Sequence, residues 1–152
     1  MKISEILDKR GIKINLEAAT KEETLKELVG ILAQVENIGD QKSIVKALLE
    51  RENLGSTGIG QGIAIPHGKT DKVNRLVAVL GTSKKGINFD ALDNQPVNLV
   101  MLFLVPQGQF QKHLHTLANI AKLLHKAEFR QALEQAPDAD AMLKIIREHG
   151  KK

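Results

Sequence analysis

The run from Val97 to Val105 leaves the chain few structural options. Every residue in it except Asn98 is apolar, and the side chains are those that suit a pleated surface. A strand of alternating character can face water on one side. A strand apolar on both faces has to be covered on both, which places it centrally in a sheet with helices on either side. The run stops at Pro106-Gln107-Gly108, where a missing N–H and a permissive glycine break the extended chain. It is far too short to span a bilayer.

The remaining sequence supplies the covering elements. At 152 residues and 42% hydrophobic, the chain can bury one real core, and we expect a single domain over 1–152. Ser4 to Arg10 reads as a short helix capped by Ser4 and ended by Gly11, with a weak edge strand over Ile12 to Leu16. Thr20-Lys21-Glu22-Glu23 is a capping box ahead of Leu25, Leu28, Val29 and Leu32, which share one face of a helix reaching about Val35. Gly39-Asp40 starts another helix, with Ile44, Val45, Leu48 and Leu49 inward and Arg51 in its last turn. Leu76 to Leu80 reads as a continuous apolar strand, and Gly81 to Asn94 as hairpin or loop with a short strand at Ile87 and Phe89.

A helix from about Gln109 to His125 carries an apolar stripe at Phe110, Leu114, Leu117, Ala121 and Leu124. At about 100° per residue, His113 falls about 60° from the middle of that stripe and His115 about 140°. His113 is therefore expected on the border of the buried face and His115 in solvent. Glu128 to Gln135 forms a further helix, and Pro137-Asp138 opens the last, with Met142, Ile145 and Ile146 inward. The tail from His149 to Lys152 is expected to fray. Helices, then strands, then helices suggest a mixed sheet with helices on both faces.

Between the first helices and the apolar strands lies Gly55-Ser56-Thr57-Gly58-Ile59-Gly60-Gln61-Gly62-Ile63-Ala64-Ile65-Pro66-His67-Gly68. Ile63-Ala64-Ile65 can pair as a short strand, and Pro66, with no N–H to give, ends it. His67 is then expected where the strand leaves its sheet, ahead of a polar turn over Lys69 to Asn74. The glycines allow backbone N–H groups to converge, with Gly60, Gly62 and Gly68 the candidates to meet a substrate.

Several chemistries can be weighed on these residues. Gly68-Lys69-Thr70 looks like the end of a phosphate-binding loop, but Gly62 is one residue too far away and Pro66 removes an N–H. A metal site from His67, His113 and His115 fails on a helix, where positions i and i+2 diverge by about 200°. No metal or cofactor is expected. Hydrolysis with His67 as general base would need a nucleophile, for which Ser56 and Thr57 are near but no nucleophile elbow is present. His67 as the nucleophile for a phosphoryl group needs only a neutral imidazole plus cationic or N–H stabilisation. Arg51 would supply a fixed bidentate cation and His113 a hydrogen bond.

Composition narrows the partners. The net charge of +4 is scattered, and with no Trp or Tyr there is little to stack bases, so no nucleic acid is expected. The absence of cysteine excludes disulfides and thiolate chemistry and suits a cytoplasmic protein. The polar N-terminus has no apolar signal core, and no membrane insertion is expected.

The stretch Arg51-Glu52-Asn53-Leu54-Gly55-Ser56-Thr57-Gly58-Ile59-Gly60, continued by Gly62 to Gly68, resembles the active-site signature of fructose/mannitol-type (type 2) EIIA domains of the bacterial phosphoenolpyruvate-dependent phosphotransferase system. Lys112-His113-Leu114-His115-Thr116-Leu117 resembles the same family's second-histidine helix, and the likeness runs from about Lys2 to Arg147. The resemblance implies a three-layer α/β/α fold, a mixed β-sheet sandwiched between helices. It implies that His67 takes a phosphoryl group from the phosphohistidine of HPr or its nitrogen-related counterpart. His67 would then pass it to an EIIB protein or act on a regulated target through its phosphorylation state. It places the second histidine on His113, with His115 as rival, and the active-site arginine on Arg51. A stand-alone chain with His-Leu-His-Thr-Leu looks most like the nitrogen-regulatory branch; a sugar-transport EIIA and a non-catalytic binding module are the alternatives.

Overall fold

The structure, a computed structural model, describes residues 3–149; of the tail expected to fray, His149 instead closes the last helix, and the residues after it lie outside the described residues. In chain order the elements are α1 (Ile3–Ile6), β1 (Leu7–Lys13), α2 (Lys21–Leu32), α3 (Gln41–Glu52), β2 (Gly58–Gly60), β3 (Ile63–Ala64) and β4 (His67–Thr70). They continue with β5 (Val77–Ile87), β6 (Val97–Pro106), α4 (Phe110–Leu124), α5 (Ala127–Gln135) and α6 (Ala139–His149).

The apolar run is the centre of a six-stranded sheet of order β1-β5-β6-β3-β2, with β4 also paired to β6. Strand β5 runs antiparallel to β6 on one side, while β3 and β4 run parallel to it in tandem on the other. Because successive β6 side chains alternate, Leu99, Met101, Phe103 and Val105 enter one core and Val100, Leu102 and Leu104 the other. The first core is closed by α1, α4, α5 and α6, and the second by α2 and α3. The mixed sheet between two helical layers is the expected fold class.

Local chemistry sets the element ends. Thr20 accepts from the Glu23 N–H at 3.3 Å, and the Glu23 carboxylate takes the Ala19 N–H at 3.3 Å and the Thr20 hydroxyl at 3.1 Å. That is the capping box, with its return bond taken one residue earlier. Asp40 caps α3 through the Lys42 N–H at 3.0 Å, and Asp138 caps α6 through the Ala141 N–H at 2.8 Å.

Four expectations change. The first helix ends at Ile6, and Leu7–Lys13 is a strand, because pairing with β5 outweighs the helical spacing of so short a segment. Ser4 consequently lies inside α1 rather than capping it. Strand β5 runs on to Ile87 through an irregularity after Thr82, so most of the expected loop after Gly81 is ladder. His67 to Thr70 is strand rather than turn, and the polar turn begins at Asp71.

The fourth concerns the face of α4. Its buried positions are His113, Leu117, Ile120 and Leu124, while Leu114 is 45% exposed and Ala121 only half-buried. The spacing i, i+4, i+7, i+11 is as regular as the expected stripe. His113 therefore sits within the buried face, not on its border, and His115 is exposed as expected.

Candidate active site

His67 opens β4 immediately after a jog in the backbone. Strand β3 pairs Ile63 and Ala64 with Leu99 and Val100, and β4 resumes the parallel pairing with His67 opposite Phe103. Pro66 sits buried at the break, its carbonyl accepting the Phe103 N–H at 2.9 Å. The sheet thus regains its grip at His67 instead of releasing it there, contrary to the expectation of a strand exit. Proline fixes the entry and the ladder fixes the exit, so the histidine backbone is held from both sides.

The ring is half-buried and oriented by two contacts. Its Nδ1 lies 3.1 Å from the Ile65 carbonyl. A carbonyl can only accept, so Nδ1 carries the proton and Nε2 keeps its lone pair. The Phe110 ring at the start of α4 stacks on the imidazole, with centroids 5.9 Å apart and planes 22° from parallel. Burial pushes the His67 pKa below the ordinary histidine value. The Ile65 hydrogen bond and the Glu52 charge work against that shift, and the Arg51 and Lys69 charges work with it.

Two cations flank the imidazole. Arg51 comes from the last turn of α3, half-buried, and one of its nitrogens donates to the Gly55 carbonyl at 3.0 Å. Lys69 lies two residues along β4 on the face His67 uses, exposed, its ammonium 5.0 Å from the Phe110 ring centre. The two helical layers thus meet at this point of the sheet, α3 bringing Arg51 and α4 bringing Phe110.

His113 lies one turn beyond Phe110 on α4. It is 4% exposed, and its Nε2 is a buried polar atom with no hydrogen-bond partner among the described residues. Burial lowers its pKa, with a smaller push in the same direction from Lys112. A neutral, unpaired ring nitrogen inside a protein carries a cost that a polar ligand would relieve.

The glycines divide differently from the expectation. Gly60 and Gly62, with φ of 100° and 80°, shape the turn between β2 and β3. That turn lies beside Asn98 and Asp93, about 16.5 Å along β6 from the level of His67, at about 3.3 Å per residue from Asn98 to Phe103. Gly68 faces α3: a Cβ there would come within 3.1 Å of the Leu48 side chain, so its smallness admits the helix. The structure brings Phe110, Arg51 and Lys69 to His67, places His113 one helical turn beyond Phe110, and leaves Gly60 and Gly62 apart.

Sequence reasoning missed Phe110 and Lys69. Phe110 was assigned to the apolar stripe, which it also serves. Lys69 was visible in Gly68-Lys69-Thr70, and reading residues 67–70 as a strand would have put it on the His67 face through the two-residue period.

Comparison with known proteins bears on the chain as a whole. The family model described as phosphoenolpyruvate-dependent sugar phosphotransferase system, EIIA 2, matches residues 5–149. The PTS system fructose-specific EIIABC component of Bacillus subtilis is 40% identical over 151 residues, which are 99% of this chain and 24% of that protein. A nitrogen regulatory protein from Klebsiella oxytoca is 39% identical over 152 residues, covering 99% of this chain and 93% of that protein. The crystal structure of nitrogen regulatory protein IIA-Ntr from Neisseria meningitidis superimposes with a TM-score of 0.86 at 31% identity, covering 95% of this chain and 98% of that one.

Proposed function

Because the chain belongs to the EIIA 2 family of the phosphoenolpyruvate-dependent sugar phosphotransferase system, we propose that His67 is its phosphoryl acceptor and that Nε2 is the reacting atom. The observation that carries this is the Nδ1 hydrogen bond to the Ile65 carbonyl, which aims the free lone pair away from the backbone. The donor is the phosphohistidine of HPr or a nitrogen-related HPr. The Nε2 lone pair forms the new N–P bond as the donor's N–P bond breaks, and that electron pair returns to the donor imidazole. No proton has to move: Nδ1 keeps its hydrogen, and the Ile65 carbonyl stabilises the positive ring that results. Transfer to an EIIB protein is the same exchange run onward.

The surrounding side chains act on the phosphoryl oxygens. Arg51 offers a planar pair of donors and Lys69 a point charge, both near the ring. His113 donates from Nε2 to one oxygen, which gives that atom the partner it otherwise lacks. No helix among the described residues is long and apolar enough to cross a membrane. The cytoplasm, where the donor is found, is the compartment this reading requires.

The regulatory role is the better supported of two. Nitrogen regulatory relatives at 34% and 39% identity are matched over 95% and 93% of their length. The fructose-specific relative, at 40% identity, is matched over 24% of its length, so its transport activity rests on segments that this comparison does not reach. That likeness still favours a sugar-transport EIIA as the second reading.

Incubation with a phosphorylated carrier tests the chemistry. The chain should gain one phosphate whose label survives base and is lost in acid. His67→Ala should abolish the label, and label retained by that folded variant would remove His67 from the role. In the same assay Arg51→Lys, which loses the planar fork, should slow transfer, and His113→Ala should impair it more than His115→Ala. Equal losses at the two histidines would place His113 outside the site.

A further inference from the structure

Glu52 is a carboxylate in the interior. The residue is 4% exposed, and it ends α3 next to Arg51. Three donors converge on it. The Thr57 N–H reaches one oxygen at 3.1 Å, the Thr57 hydroxyl donates to the other, and the Lys21 ammonium at the start of α2 lies 3.3 Å from the first. A buried, fully paired acid is an expensive way to fill space, because apolar side chains of the same volume would often serve stability as well or better. The phosphoryl chemistry described above does not use it.

What this network holds is Thr57, and Thr57 holds Ile65. The Thr57 carbonyl accepts the Ile65 N–H at 3.0 Å, and the Ile65 carbonyl accepts the His67 Nδ1–H at 3.1 Å. Ile65 needs that support. It lies beyond the paired residues of β3 and before β4 begins, and Pro66 behind it has no N–H to add to the ladder. The same anchor joins both ends of the exposed segment Asn53–Gly55, whose Gly55 carbonyl takes the Arg51 guanidinium.

We propose that Glu52 is a positioning residue for phosphoryl acceptance. By fixing Thr57 it fixes the Ile65 peptide, and so the carbonyl that keeps the proton on Nδ1 of His67 and leaves Nε2 free. This rests on the reading that Nε2 is the acceptor. The chain of contacts is one of position, three successive hydrogen bonds that lead from the Glu52 carboxylate by way of Thr57 and Ile65 to the ring.

The test separates that geometry from general stability. Glu52→Ala is combined with Lys21→Met, so that neither charge is left buried alone; Glu52→Leu with Lys21→Met, which keeps the volume but offers the Thr57 N–H no acceptor, is the second variant should the first pair fail to fold. Long-range ¹H–¹⁵N spectra of the bare protein read the His67 tautomer without any phosphate. The unsubstituted protein should show the Nδ1–H form alone, and either folded variant a mixture. The saturating rate of phosphate uptake from the phosphorylated carrier should fall about tenfold or more. The KM for the carrier should stay within about twofold, because Glu52 does not reach the surface. Thr57→Val keeps the N–H bond to Glu52 and should retain the single tautomer. A pure Nδ1–H ring and an unchanged rate in a folded variant would overturn the role of Glu52. Failure of the unsubstituted protein to take phosphate would instead overturn the acceptor reading, and the tautomer comparison would still decide whether Glu52 sets the ring.

Discussion

At the scale of single residues, the lowered pKa of His67 makes a directional prediction. Its ring is depressed first by burial and then by Arg51 and Lys69. A free imidazole loses its one available lone pair to a proton as pH falls through about 6.5. In the folded protein that loss comes at lower pH, so uptake of phosphate should stay level as pH drops through the ordinary value and decline only below it. Titration of the His67 ring by NMR, alongside the rate, checks this; a rate that falls in step with a free histidine would mean that the ring is effectively solvated. His67 and Arg51 were legible because both lie in one continuous motif, where spacing along the chain and closeness in space coincide. Phe110 was not, since nothing in a helix sequence says which strand residue its first turn will touch.

At the scale of elements, the phase of α4 is the clearest divergence between pattern and structure. Treating His113 as polar pulled the expected stripe toward Leu114; treating it as a core residue gives the observed face. The two phases differ in a measurable way. Leu117 is 9% exposed and Leu114 45%. Leu117→Ala should cost about 2–5 kcal/mol as a buried truncation, and Leu114→Ala about 0.5 kcal/mol or less as a surface one. Chemical denaturation of both variants decides it, and comparable losses would return Leu114 to the core. Strand β4 was missed for a related reason. His-Gly-Lys-Thr has the composition of a turn, and only the four-residue register with Phe103 to Pro106 makes it a strand. Pairing of that kind is a property of the partner strand, which local propensity does not contain.

At the scale of the whole molecule, the three layers followed from one apolar strand, since covering both of its faces leaves few alternatives. The candidate site lies where the layers meet: His67 and Arg51 share one motif, but the arrival of Phe110 from α4 is encoded by no local pattern. Phosphorylation there would add about −1.5 to −2 charge at one spot between Arg51 and Lys69. A regulator needs partners that distinguish the two states. We therefore expect at least one partner to bind the bare protein about tenfold more tightly than the phosphorylated one, a difference of about 1.4 kcal/mol. Calorimetry of both forms against candidate partners measures it; equal affinities together with rapid transfer to a sugar-specific EIIB would favour transport. The outer edge of the sheet at β1 has its own consequence at this scale. The strand's pairing with β5 shifts register between Leu7 and Ile12, and Asp8, Lys9 and Arg10 stand exposed along it. An irregular, charged border offers a second molecule no straight row of backbone groups to dock on. The sheet therefore ends at β1 in a border with no regular ladder for a further strand to continue.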